Sequence, residues 1–299
     1  MNLGIDRILL GDNPFIGVNH LSQERTRESG IKFDSKKVAR VINSALAAGA
    51  QGVVCSAHPN MRSALNQMRE EGCQEHFGIY LIVPDAQSYV RTASEKGILG
   101  LLNETFGRLS LKGKTRAVVE GTFSALTSNP TKVMKTYLDA DVSLFAKSIP
   151  SNVEVKSVIL HELLTELIVS FRLKSLAKEY IDFVRDSLNA IPGFVTRNFA
   201  RFAEFAASND IPIRDIAILA PFNKVGFQMN PSRKLCEESL SKVPGSNVIA
   251  MSILASGFLG LQEAVDYLNQ LDKSMSCVVG VSQEEHAQET FLYLRSHLR

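Results

Sequence analysis

The sequence alternates short apolar, partly β-branched runs with helical patterns along most of its length. A run such as Val158–Leu160 is apolar at consecutive positions, which is typical of a strand covered on both faces of a parallel sheet. In the segment Lys174–Leu188, Ala177, Ile181 and Val184 recur at steps of three and four and share one helical face. This order of units predicts an α/β fold with a parallel sheet.

Nine segments have the composition of strands, one more than a closed (β/α)8 TIM barrel needs. Even spacing of the units to the C-terminus favours the barrel over a doubly wound open sheet and predicts a single domain over residues 1–299. One of the nine segments must then lie outside the barrel, and Arg116–Glu120 is a candidate. The predicted strands are Arg7–Leu10, Val53–Cys55, Ile79–Val83, Arg116–Glu120, Val158–Leu160, Phe194–Thr196, Ile216–Leu219, Val248–Met251 and Cys277–Val279.

Helices are predicted between these strands. We expect Ser35 to cap the first helix and Gly49 to end it, because hydroxyl side chains favour N-caps and glycine favours C-caps. The predicted helices are Ser35–Ala48, Pro59–Glu71, Ala86–Lys96, Thr131–Phe145, Lys174–Leu188, Phe199–Ala207, Arg233–Ser241, Gln262–Leu271 and Glu284–His297.

Charge, cysteine spacing and hydrophobicity limit the binding partners and the cellular location that we expect. A formal net charge of only +2 gives no electrostatic case for nucleic acid or an anionic membrane as partner. The four cysteines are far apart without CxxC pairing, which predicts reduced thiols and a cytoplasmic location. No apolar run is long enough to cross a membrane, and the N-terminus has no signal-peptide pattern. A small-molecule ligand is the expected partner, and the oligomeric state is left open.

Several segments resemble the aldo/keto reductase superfamily. Val248–Gly257 is similar to the family's seventh-strand pattern "viaysplasG", and Val279–Glu289 is similar to its eighth-strand pattern "GvSspeqleeN". Thr196–Phe199 resembles the fifth-strand pattern "vSNf". Gly49–Ala57 and Leu160–His161 are similar to the second-strand "GvnfiDTA" and fourth-strand "llH" patterns. The resemblance implies an aldo/keto-reductase-like TIM barrel.

The family's catalytic residues are an Asp, a Tyr that donates a proton, a Lys and a His, and most of them are missing here. A group that donates a proton during hydride transfer cannot be Asn or Pro, so the resemblance implies the fold without the usual carbonyl reduction. At the four positions the chain has Cys55 or Val54, Pro59 or Asn60, Pro84 or Asp85, and His161.

The resemblance also bears on a cofactor. Asn198 matches the family residue that holds the nicotinamide carboxamide, while Arg197 replaces the neighbouring Ser. The segment Ser282–Glu285 has two acidic residues where NADPH-binding members place basic ones, which disfavours a 2′-phosphate there. The cofactor therefore stays unknown.

Residues that directly follow the strands of such a barrel face its working site. His161 ends an apolar strand and is the strongest acid–base candidate, with Glu120 or Asp85 as its carboxylate partner. Arg197 could hold a carboxylate or phosphate, and asparagines could hydrogen-bond a polar ligand. The catalytic candidates are His161, Glu120, Asp85, His58 and Asp12, and the ligand-binding candidates are Asn13, Arg197, Asn198 and Asn223.

Imidazole and carboxylate side chains such as these can bind metal ions. No HxH or HExxH spacing supports a metal site, and none is predicted.

The leading hypothesis is a barrel that binds a small polar metabolite and performs acid–base chemistry of isomerase or lyase type with His161. One alternative is a nicotinamide-dependent oxidoreductase with a non-standard proton donor, suggested by Asn198. The other is a non-catalytic, reductase-like binding protein, suggested by the missing catalytic residues.

Overall fold

Eight parallel strands close into a barrel in the computed structural model, which describes residues 3–16, 34–85, 130–272 and 274–299. Each strand pairs with the next along the chain, and the first pairs with the last, so the predicted (β/α)8 fold is confirmed. The strands are β1 Ile8–Gly11, β2 Gly52–Ser56, β3 Gly78–Val83, β4 Glu154–Leu160, β5 Ile191–Val195, β6 Ala217–Pro221, β7 Val248–Met251 and β8 Ser276–Gly280.

Eight of the nine α-helices in the described segments match predicted ones within two residues at each end. They are α1 Ser35–Ala48, α2 Pro59–Glu70, α3 Pro130–Ala146, α4 Glu162–Ser170, α5 Lys174–Ser187, α6 Phe199–Ser208, α7 Arg233–Ser239, α8 Leu261–Leu271 and α9 Glu284–His297. None of them is both long and apolar enough to cross a membrane.

Two predicted elements, the strand Arg116–Glu120 and the helix Ala86–Lys96, lie outside the described residues. The barrel closes without that strand, because β3 pairs directly with β4 through partners such as Ile82 and Ile159. The eight strands of the barrel overlap the other eight predicted strands, and the strand prediction at Arg116–Glu120 stays a prediction.

The prediction that Ser35 caps α1 is wrong by one residue. Asp34 is the N-cap, and its Oδ1 accepts hydrogen bonds from the backbone N–H groups of Lys36 (2.9 Å) and Lys37 (3.3 Å). Aspartate caps as well as serine does, so the pattern alone could not choose between these neighbours. Gly49 ends the helix with φ of +123°, as predicted.

The sequence prediction missed α4. Its apolar residues lie on all sides, and Leu163 and Leu167 are exposed, so no single stripe marks it as a helix. The connection from β4 to β5 therefore holds two helices. α5 covers the outside of the barrel, where Tyr180 donates its hydroxyl to the carbonyls of Val158 (2.7 Å) and Gly193 (2.8 Å). α4 begins directly at the C-terminal end of β4.

Inward-facing aliphatic and aromatic side chains fill the middle of the barrel. Towards the C-terminal ends of the strands, Ile82, Met251 and Val278 are only partly buried, so the closed core stops below the mouth. At the opposite end, Asp6 accepts hydrogen bonds from Tyr80 and Lys156. The buried inner layer consists of Leu9, Val54, Tyr80, Ile159, Val195, Leu219 and Ile249.

Candidate functional site

Asp12 follows β1 and is one of the few buried carboxylates, only 5% exposed. Its backbone N–H continues the sheet ladder to the carbonyl of Val54 (3.2 Å). Its Oδ2 accepts two hydrogen bonds from Ser56, one from the backbone N–H (2.8 Å) and one from the hydroxyl (3.0 Å). The ends of β1 and β2 thus hold this carboxylate at the rim of the barrel.

Burial raises the pKa of Asp12 from 3.8 to about 6. The hydrogen bonds from Ser56 favour the charged form and oppose this rise, while the negative charge of Asp85 adds to it. A carboxyl group with such a pKa exchanges its proton near neutral pH, as a general acid or base must.

His161 follows β4 and is the N-cap of α4. Its backbone N–H continues the ladder to the carbonyl of Val83 (2.7 Å), and its Nδ1 accepts a hydrogen bond from the backbone N–H of Leu163 (3.2 Å). Since Nδ1 is an acceptor, the proton of the neutral ring is assigned to Nε2. Burial lowers the pKa of His161, so the neutral ring with Nε2–H dominates at neutral pH.

The negative charge of Asp85 acts on both Asp12 and His161. Its charge raises the pKa of Asp12 and also that of His161, in the second case against the larger effect of burial. Arg197 acts in the opposite direction and lowers the pKa of His161. Four of the predicted residues, at the ends of β1, β3, β4 and β5, are therefore linked in pairs: Asp85 acts on Asp12 and on His161, and Arg197 acts on His161.

Arg197 follows β5 and is held by α4. Its Nε lies 3.0 Å from Oε2 of Glu162. Its backbone N–H donates to Oε1 of Glu166 (3.2 Å). The same carboxylate accepts hydrogen bonds from the Thr196 hydroxyl (2.8 Å) and from Nδ2 of Asn198 (3.0 Å). Asn198 thus lies beside the cluster, with its amide bound to Glu166.

The remaining candidates in the described segments are His58, Asn13 and Asn223. His58 caps α2 by accepting from the N–H of Asn60 (3.1 Å), and Asn13 is exposed in the turn after β1. Asn223 is fully buried and closes its own loop, donating to the carbonyl of Phe227 (2.8 Å) and accepting from its N–H (2.7 Å). Glu120 lies outside the described residues. The catalytic and ligand-binding roles of all these residues stay predictions.

Sequence reasoning missed three residues of the site: Ser56, Glu162 and Glu166. Ser56 directly follows the buried Cys55 at the end of β2, so the strand-end rule that selected Asp12 applies to it as well. The two glutamates are four residues apart, but this spacing carries information only once α4 is recognised as a helix.

Asp12, Asp85, His161 and Arg197 follow β1, β3, β4 and β5, so the cluster occupies one side of the mouth. The loops after β6 and β7 carry polar groups as well, since the Ser252 hydroxyl donates to Oε1 of Gln228 (3.3 Å). In the described segments, His, Cys, Asp and Glu side chains do not form a group of three or more that could hold a metal ion.

No protein-family model and no curated protein matches the sequence. The architecture does match solved structures. Two from Pseudomonas aeruginosa, both carrying a provisional description as aldo-keto reductases, superpose with a TM-score of 0.57 at 13% and 12% identity. In each case the match covers 100% of this chain and 93% of the other. The likeness shows an aldo/keto-reductase-like TIM barrel, and at this identity it shows the fold alone.

Proposed function

We propose that this barrel binds a small carbonyl-containing metabolite at its mouth and catalyses proton transfer next to the carbonyl, a reaction of isomerase or lyase type. The observation that carries the proposal is Asp12, a buried carboxylate whose pKa is raised to about 6, near Asp85, whose charge also acts on the neutral His161. Perturbed carboxyl and imidazole groups gathered at the C-terminal face of a TIM barrel are characteristic of acid–base sites.

Each residue has a distinct role in the proposed reaction. The ionised Asp12 carboxylate removes a proton from the carbon next to the carbonyl, and the electron pair moves to the carbonyl oxygen. His161 Nε2–H donates a hydrogen bond to that oxygen and stabilises the developing negative charge. Arg197 holds a carboxylate or phosphate elsewhere on the substrate. Protonated Asp12 then returns the proton to a neighbouring atom of the substrate.

Hydrogen–deuterium exchange at carbon tests this proposal before the substrate is known. The protein is incubated in D2O with a panel of 2-oxo acids and hydroxycarbonyl compounds, and deuterium incorporation is followed by proton NMR. We expect exchange in at least one compound, rising with pH through about 6 as Asp12 ionises. Asp12→Asn should reduce it by at least about 100-fold.

Asp182→Asn is the matched control, because Asp182 is an exposed carboxylate of α5 paired with Arg185. It should exchange at the rate of the unmodified protein. Exchange by Asp12→Asn at that same rate would contradict the assigned role of Asp12. No exchange in any compound, together with retained ligand binding, would favour the non-catalytic alternative.

A nicotinamide-dependent oxidoreductase is the second candidate, supported by the aldo/keto-reductase-like fold. Asn198, which matches the family's carboxamide-binding asparagine, is the N-cap of α6, and its side-chain amide donates to Glu166. Fluorescence titration with NADH and NADPH tests this candidate. A pair of acidic residues at the start of α9, one of them (Glu284) bound to Arg40, would make NADH the tighter ligand. No binding of either cofactor at millimolar concentration would exclude it.

A further inference from the structure

Two glutamates one turn apart on α4 hold different parts of Arg197. Glu166 binds Arg197 and both of its neighbours: it accepts from the Thr196 hydroxyl (2.8 Å), the backbone N–H of Arg197 (3.2 Å) and the side-chain amide of Asn198 (3.0 Å). Thr196 is fully buried, so this anchor cannot move without disturbing the barrel wall. Glu166 therefore fixes where the chain after β5 places the arginine.

Glu162 instead faces the guanidinium group. Its Oε2 lies 3.0 Å from Arg197 Nε, yet Nε makes no hydrogen bond, so the N–H direction misses the carboxylate. Both side chains are about one-third exposed, where an ion pair stabilises little. This contact is one that a ligand with a negative charge and better geometry can replace.

We propose that Glu166 is a positioning residue for Arg197, and that Glu162 is a resident counter-ion that an anionic group of the ligand displaces. The proposal rests on the anion-holding role of Arg197 in the proposed function. It assigns opposite effects to two residues of the same type on the same helix. Glu166 prepares the arginine for a ligand, and Glu162 competes with the ligand.

Charge alone would give a different pattern. Replacing either glutamate by glutamine removes one negative charge near Arg197, and both changes would then strengthen anion binding. If Glu166 positions Arg197, the two substitutions should instead have opposite effects on anion binding. Glu166→Gln turns an acceptor of three hydrogen bonds into a side chain with its own N–H donors, so the segment 196–198 loses its anchor.

Titration with inorganic phosphate, followed by NMR chemical shifts, measures these effects. We expect Glu166→Gln to weaken binding on the order of tenfold, as loss of charge-assisted hydrogen bonds does. Glu162→Gln should strengthen binding about two- to fivefold, as loss of an exposed ion pair allows. Glu179→Gln on α5, which removes an exposed carboxylate paired with Lys135, should leave it unchanged. Thermal unfolding checks that each variant is folded.

The Arg197→Gln background separates this inference from the proposed function. If Arg197→Gln leaves phosphate binding unchanged, Arg197 does not hold the anion and that part of the proposed function fails. If Arg197→Gln weakens binding but Glu166→Gln strengthens it or has no effect, the positioning role is wrong. In the Arg197→Gln background, Glu166→Gln should have no further effect on affinity.

A second measurement decides the positioning role even if phosphate does not bind. The Nε–H resonance of Arg197, assigned by its loss in Arg197→Gln, reports the surroundings of the guanidinium group. Glu166→Gln should shift it and speed its exchange with solvent, because the guanidinium group loses its fixed place. An unchanged resonance in a folded Glu166→Gln protein would overturn the inference.

Discussion

Asp12 combines three properties: it is buried, it accepts two hydrogen bonds from Ser56, and its pKa is raised to about 6. Its position at a strand end was readable from the sequence, because the apolar run of β1 stops there. Its pKa was not, since burial and the charge of Asp85 depend on how β1, β2 and β3 meet. Ser56, which binds the carboxylate, was missed although it ends β2 and its position was as readable as that of Asp12.

The raised pKa makes the stability contributed by Asp12 depend on pH. Below about pH 4 the carboxyl group is protonated in the folded and the unfolded chain, so its contribution is fully present. Between about pH 4 and 6 only the folded state keeps the proton, and this contribution is lost as the pH rises through 6. The buried charge therefore lowers the free energy of unfolding at neutral pH.

Asp12→Asn should remove this destabilisation, because asparagine is neutral at every pH and its carbonyl can still accept from Ser56. We expect the variant to be more stable than the unmodified protein by about 1–3 kcal/mol at pH 8 and by much less at pH 4. Urea unfolding at the two pH values measures the difference. An equal gain or loss at both would show that the Asp12 pKa is not raised in the folded state.

At the scale of elements, α4 connects the acid–base residue and the anion-holding residue of the proposed site. His161 caps its N-terminus, and Glu162 and Glu166 in its first two turns hold Arg197. The sequence pattern found the helices whose apolar stripe faces the barrel, such as α5, but not α4, whose exposed Leu163 and Leu167 disturb that pattern. The contacts made by Glu162 and Glu166 could not be predicted without knowing that α4 is a helix.

The cap and the chemistry of His161 can be separated by two substitutions. His161→Ala removes the acceptor for the Leu163 N–H and should destabilise the protein by about 1 kcal/mol. His161→Asn supplies a preferred N-cap side chain and should cost much less. Both remove Nε2–H, so both should lose deuterium exchange at carbon.

Thermal and urea unfolding measure the stability of the two variants, and the deuterium-exchange assay measures their activity. Equal destabilisation by His161→Ala and His161→Asn would mean that the cap contributes little to stability. Full exchange activity in the stable His161→Asn variant would remove the imidazole from the proposed reaction.

At the scale of the whole molecule, the barrel was predictable because alternation of strands and helices leaves few ways to bury both faces of a parallel sheet. All eight strands of the structure overlap predicted ones. The side-chain contacts at the mouth were harder to predict from the sequence, because they depend on which strands are neighbours in the sheet. His58 and His161 both follow strands and cap helices in the same way, and the sequence pattern does not show that the charges of Asp85 and Arg197 act on His161.

The fixed position of Asp12 has a stereochemical consequence. Two hydrogen bonds from Ser56 hold its carboxylate at the ends of β1 and β2, on one side of the mouth. Under the proposed chemistry, a planar carbonyl compound bound through its anionic group to Arg197 presents one face to this base. Only one of two prochiral hydrogens would then exchange, and the deuterated product would be a single enantiomer at the labelled carbon.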